Sequence, residues 1–185
     1  MGYAENETQF DELSKKGQSR FHELNKLYDI YNDYDGINNI KTINDNAGVK
    51  PIAVRQEIID LLIFSKEWYS KTNGTVNIAL GPMLSIWHQY REEGISNPAS
   101  ARIPDIELLK IAALKTDIAK VEIDPSNKTV FLSQPGMSLD VGAVAKGFAT
   151  EIVAMELYNS GFTSFIIDSG GNVRTVGKPL DGTRN

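Results

Sequence analysis

Apolar residues recur at spacings of three and four from about Thr8 to Asn32. Phe10, Leu13, Phe21, Leu24, Leu27, Tyr28 and Tyr31 fall on one helical face, with Glu, Lys and Asp opposite. Thr8 with Asp11 reads as a capping box carrying Asp in place of Glu, and Gly17 weakens the middle of the helix. Residues 32–50 read as loop, because Asp35-Gly36, Asn38-Asn39 and Asn44-Asp45-Asn46-Ala47-Gly48 favour turns. A second helical pattern runs over 55–72 through Ile58, Ile59, Leu61, Leu62, Phe64, Trp68 and Tyr69, and Asn73-Gly74 stops it. Pro82 stands where it can open a helix carrying Met83, Ile86, Trp87 and Tyr90. Residues 95–104 are a linker, and a short helix follows from Asp105 to Lys115.

From Ala119 the period changes to two. Val121 and Ile123 alternate with Glu122 and Asp124, Val130 and Leu132 with Phe131 and Ser133, and Pro-Ser-Asn-Lys between them is turn material. Gly142 to Asn159 is a helix with Val144, Phe148, Ile152, Val153, Met155 and Leu157 on its buried side, closed by Gly161. Strands follow at 164–168 and 173–177, around the turn Ser169-Gly170-Gly171-Asn172. Helices and strands in mixed order, with antiparallel pairs late in the chain, define an α+β fold in which a mixed or antiparallel sheet packs against helices.

At 185 residues the chain fits one domain, 1–185. The absence of cysteine excludes disulfides, zinc-thiolate sites, iron–sulfur clusters and a cysteine nucleophile. It leaves the redox compartment open. Nineteen basic against 24 acidic side chains argue against a nucleic-acid footprint. Only two histidines, His22 and His88, are present, so acid–base chemistry falls to carboxylates, lysine, backbone groups or a bound metal. No run of 18 apolar residues suggests a membrane span.

The sharpest chemical signal is Ser138-Leu139-Asp140-Val141-Gly142-Ala143-Val144-Ala145-Lys146-Gly147-Phe148-Ala149. A strand end carries an acid, and a small-residue loop then opens a helix. Free N–H groups in the first turn suit a phosphate, and Lys146 adds a charge for a diphosphate. Asp140 can orient that lysine or bond a ligand. The plainer alternative is a helix start packed on a sheet, and the spacing is not that of a Walker loop. The Asp168-Ser169-Gly170-Gly171-Asn172 turn reads either as a hairpin or as a ring of backbone donors. Asn77 to Met83, with Trp87, either lines a pocket or is a buried turn. Tyr31 is either a core tyrosine or a stacking surface for a flat ring. Both histidines read as structural or surface residues.

Taken together and in this order, these segments resemble the ApbE family of FAD:protein FMN transferases. The run from Asp140 to Ala149 is similar to that family's Asp-Leu-Gly-x-x-Ala-Lys-Gly-Tyr-Ala signature. Asn77 to Trp87 resembles its Phe-Asp-x-Thr-x-Gly-Pro-Leu…Leu-Trp segment, Asp168 to Asn172 its Gly-Gly-Asn/Asp turn, and Tyr31 to Asn44 its Tyr…Leu-Asn segment. The likeness spans about residues 8–182. It differs at Asn77, Ala79, Phe148 and Glu151, where Asp, Thr, Tyr and Asp are usual.

The resemblance implies an ApbE-like, T-fold-related domain that binds FAD. It implies Mg²⁺-dependent transfer of FMN to a threonine of an acceptor protein, with release of AMP. Hydrolysis of FAD without transfer, or a non-enzymatic ligand-binding envelope lipoprotein, are the alternatives. The cofactor-binding residues it implies are Tyr31, Asn77, Gly81, Pro82, Asp140, Lys146, Gly147 and Glu151, and the backbone oxygen of Ala143 is the implied metal ligand. Lys146 and Gly147 fall at the diphosphate. Catalytic side chains and the metal's carboxylate and threonine belong to a later family segment, so the chain reads as truncated at its C-terminus and inactive by itself. The family also implies an extracytoplasmic, cell-envelope protein, membrane-anchored through a segment outside this chain, with no nucleic-acid partner.

Overall fold

The structure is a computed structural model and describes residues 1–178. Its elements are α1 (Glu7–Tyr28), α2 (Ile40–Asp45), β1 (Ile52–Ala53), α3 (Gln56–Lys71), α4 (Gly81–Ser96), α5 (Ile106–Ala113), β2 (Val121–Asp124), β3 (Thr129–Leu132), α6 (Gly142–Asn159), β4 (Phe165–Asp168) and β5 (Val173–Val176). The chain divides into two compact units: residues 27–143, and residues 1–26 with 144 onward.

In the unit formed by 27–143, β1, β3 and β2 form an antiparallel sheet in that order. The register Val121↔Leu132 and Ile123↔Val130 puts the alternating apolar residues on one face. Helix α3 covers that face with Ile58, Ile59, Leu61 and Leu62, all fully buried. Burial of such side chains stabilises by about 1.5–3 kcal/mol each. The sheet includes one strand that the pattern misses. Ile52–Ala53 is too short for a period to register, and the pairing Ile52↔Val130 creates it.

Helix α2 lies inside a segment that the sequence presents as loop. Its cap explains it. The Asn39 side chain accepts from the Thr42 backbone N–H at 3.0 Å, and the Thr42 hydroxyl accepts from the Asn39 N–H at 3.1 Å. The same turn-forming residues that suggest a loop thus begin a helix. Ile40 and Ile43 then bury its inner face. Helix α1 ends at Tyr28, four residues short of the expected Asn32. The Asp29 carboxylate accepts from the backbone N–H of Tyr31 at 2.7 Å and of Asn32 at 3.1 Å, replacing the next helical turn.

In the other unit α1 and α6 pack at Gly17, where a Cβ would stand 3.3 Å from Leu157 Cδ1 and 3.6 Å from Val153 Cγ1. This close approach accounts for a buried glycine within the helix. Arg20 pairs with Glu156 at 3.0 Å beside it. β4 and β5 form the expected hairpin, and both turn glycines have positive φ, 66° at Gly170 and 93° at Gly171. Residues 1–3 add to the other edge of β4, through Ile166 N–H to Met1 O at 2.8 Å and Tyr3 N–H to Ser164 O at 2.9 Å. Phe162 stacks on Phe165 at 4.7 Å and meets the edge of Phe10 at 6.1 Å.

Helix α6 occupies the expected 142–159, but Met155 is exposed. Val153 and Leu157 are buried as expected, and Ala149, Thr150 and Ala154 complete the buried stripe. Among the described residues the strands form a three-stranded and a two-stranded sheet, where the pattern suggests one. Alternation shows which residues form a strand and leaves its partner unspecified.

Candidate functional site

A cleft of about 950 Å³ opens in the unit formed by 27–143. Helix α4 supplies its floor through Gly81, Leu84, Ser85, Trp87, His88 and Arg91. Tyr31, Asn44 and the segment Ser138-Leu139-Asp140 supply walls. Trp87 is 45% exposed and Tyr31 63% exposed, and both line the cleft. Tyr31 is therefore not a core residue. The turn held by Asp29 carries it clear of α1, and its ring centroid lies 5.9 Å from that of His88.

Four local features position the Asp140 wall. A Cβ at Gly81 would stand 2.5 Å from the Ser138 carbonyl oxygen. Only glycine lets the start of α4 meet this segment. Further along, Asp140 N–H bonds the Ile78 carbonyl at 2.8 Å. The Asn44 amide pairs with Leu139 in both directions, at 3.0 Å and 2.7 Å. The Asp140 Oδ1 accepts from the Gly142 N–H at 2.9 Å and caps the start of α6.

The residues expected at the site separate into groups. Tyr31, Gly81 and Asp140 line the cleft. Pro82 is adjacent in sequence to its floor and Asn77 lies four residues before it, and neither lines the cleft. The Asn77 amide instead caps the turn Ile78–Leu80 through Ala79 N–H at 2.8 Å, and donates to the Thr116 carbonyl at 3.0 Å. Ala143 is exposed at the second position of α6.

Lys146, Gly147 and Glu151 lie on α6 within the other unit, where they form a distinct group. Lys146 and Gly147 are exposed. The turn Asp168–Asn172 rests against this part of α6. The Thr150 and Ser169 hydroxyls bond each other, and Asn172 Oδ1 lies 3.5 Å from where a Gly147 Cβ would stand. Glu151 forms a two-pronged pair with Arg174, at 2.7 Å and 3.2 Å. Hydrogen bonding to Glu151, then its charge, raises the Arg174 guanidinium pKa still further.

Burial pushes the Asp29 carboxyl up. Hydrogen bonds from the Asn32 side chain, the Tyr34 hydroxyl and the Tyr31 and Asn32 amides outweigh it and hold the group below its ordinary value. Among the described residues no three His, Asp or Glu side chains gather as a metal cage. Ala143's backbone oxygen and a singly engaged Asp140 do not form a Mg²⁺ site by themselves.

Sequence reasoning takes Asn44 only as the end of a family-like segment, reads His88 as a surface residue, and passes over Arg91 and Arg174. Asn44 sits in an Asn-rich stretch that reads as solvated, and its pairing with Leu139 joins residues 95 apart. The spacing of His88 and Arg91, three apart on a helix, is a signal that was available.

The ApbE family model matches residues 3–184, and the chain belongs to that family. It is 30% identical over 161 residues to an FAD:protein FMN transferase of Klebsiella pneumoniae, covering 86% of this chain and 49% of that protein. It is 30% identical over 143 residues to one of Treponema pallidum, covering 75% and 38%. The flavinyl transferase ApbE of Pseudomonas stutzeri, solved in its apo form, shares the fold with a TM-score of 0.78 at 20% identity, covering 98% of this chain and 53% of that one. The chain spans about half the length of these relatives, or less.

Proposed function

We propose that this chain is the flavin-nucleotide-binding part of an FAD:protein FMN transferase. The observation that supports it best is the cleft, which is lined by two exposed aromatic residues, Tyr31 and Trp87, together with the polar Asp140. An isoalloxazine ring has the matching character: flat and apolar on its faces, polar along its edge. Family membership supplies the reaction class. In that reaction a threonine hydroxyl oxygen of an acceptor protein bonds the FMN phosphorus. The pyrophosphate P–O bond breaks, AMP leaves with its electron pair, and the threonine proton passes to a base or water.

Mg²⁺ belongs to this reading as a partner of the diphosphate. Phosphate oxygens, water and further protein groups would supply most of its ligands. Lys146 and Gly147 are proposed as diphosphate contacts on the strength of their loop's resemblance. An extracytoplasmic, envelope-anchored setting is part of the same reading.

The experiment incubates this chain, extended to the full length of its relatives, with FAD, Mg²⁺ and an acceptor domain carrying the target threonine, and follows flavin fluorescence on the acceptor in a denaturing gel. A fluorescent acceptor with equimolar AMP supports transfer. FAD consumed to FMN and AMP with an unlabelled acceptor supports hydrolysis instead. Unchanged FAD contradicts both.

A further inference from the structure

His88 and Arg91 stand one helical turn apart on α4, both lining the cleft. The Arg91 Nη2 lies 2.9 Å from the His88 Nδ1. A guanidinium has donors and no acceptor. In this contact Nδ1 must therefore accept, so the ring proton sits on Nε2. Glu92 also holds the guanidinium, accepting from the same Nη2 at 3.0 Å and from Nε at 3.3 Å. The sequence Glu92–Arg91–His88 is thus a chain of charge-assisted bonds that selects one imidazole tautomer. The selected ring lies 5.9 Å from the Tyr31 ring, tilted by 35°, and both residues line the cleft. It combines an N–H donor with an aromatic surface.

We propose that His88 is a flavin-binding residue whose Nε2–H donates to the carbonyl-bearing edge of the isoalloxazine ring, and that Arg91 is a positioning residue acting through His88. This rests on the flavin reading of the cleft. Stacking on Tyr31 or Trp87 sets the plane of the ring and leaves it free to turn within that plane. A fixed donor at its edge removes that freedom, as the few well-placed polar groups of a small-molecule site do. The contact selects a flavin over an apolar ring of equal size.

The test combines FAD titrations, read by flavin fluorescence, with ¹⁵N imidazole spectra of the protein. Both are run on the wild type and on His88→Phe, His88→Gln and Arg91→Met, with circular dichroism to check folding. The wild-type spectrum shows the Nε2–H tautomer, and Arg91→Met turns it into a mixture. His88→Phe keeps a ring without the donor and weakens FAD binding by roughly 3- to 10-fold, the range of one hydrogen bond. His88→Gln returns an N–H near the Nε2 position and restores affinity to within about 2-fold of wild type. Wild-type affinity in both His88→Phe and Arg91→Met overturns the proposal, and so does a wild-type spectrum with the proton on Nδ1. If the wild type takes up no FAD, the flavin reading itself fails. The tautomer spectra still report the Arg91–His88 link separately.

Discussion

The side-chain amide of Asn44 bonds the backbone of Leu139 in both directions, as a neighbouring strand would: Nδ2 donates to the carbonyl at 3.0 Å and the N–H donates to Oδ1 at 2.7 Å. The pair fixes the segment that carries Asp140 along the cleft wall. Asn44→Ala leaves two partly buried backbone groups without their partner. The expected loss is about 2 kcal/mol of unfolding free energy, measured by urea denaturation. A loss under about 0.5 kcal/mol means that water replaces the amide at no cost.

Gly81→Ala places a methyl 2.5 Å from the Ser138 carbonyl oxygen, a backbone atom that cannot rotate away. The expected cost is about 1–3 kcal/mol, with FAD affinity falling as the wall shifts. Ser138→Gly does not rescue it, because the clash with the carbonyl remains. Full recovery in the double variant would show that the Ser138 hydroxyl alone sets the limit.

Asp29 gives a pH dependence with a definite sign. Its carboxyl is held below the ordinary 3.8, so its contribution is complete above that pH and fades as the pH falls through the lower folded value. Asp29→Asn removes this acid-side loss and frees the Tyr31 turn. Comparing the two proteins by thermal melts, the difference in Tm narrows as the pH drops through and below 3.8. A constant difference across that range contradicts the assignment.

Lys146→Ala tests the diphosphate reading on its own. The side chain is exposed, so stability changes little, while FAD affinity falls and riboflavin affinity does not. Equal effects on both ligands would remove Lys146 from phosphate binding.

Much of this architecture was legible in the chain. The 3.6-residue period places α3 and α6, the two-residue period places β2 and β3, and the Gly170-Gly171 turn places β4 and β5. Local repetition suffices there, because each element presents its own apolar face. Residues 40–45 were not legible, since Asn39 serves equally as a turn residue and as a helix cap. β1 exists only through its partner in β3. At the site, the motif led to Gly81 and Asp140. Tyr31 was named on the same grounds, but its exposure follows from the Asp29 turn. The roles of Asn44, His88 and Arg174 come from contacts that pattern records only weakly or not at all: Leu139, Tyr31 and Arg91, and Glu151.

The central claim is that the cleft beside α4 receives a flavin ring. The most direct measurement is an FAD titration of the wild type beside Tyr31→Ala and Trp87→Ala, read by quenching of flavin fluorescence. Saturable quenching in the wild type, with affinity reduced roughly 5- to 100-fold in each variant, is the predicted result, since a stacked aromatic is worth about 1–3 kcal/mol. Saturable binding that neither substitution weakens, or no binding at all, would contradict it.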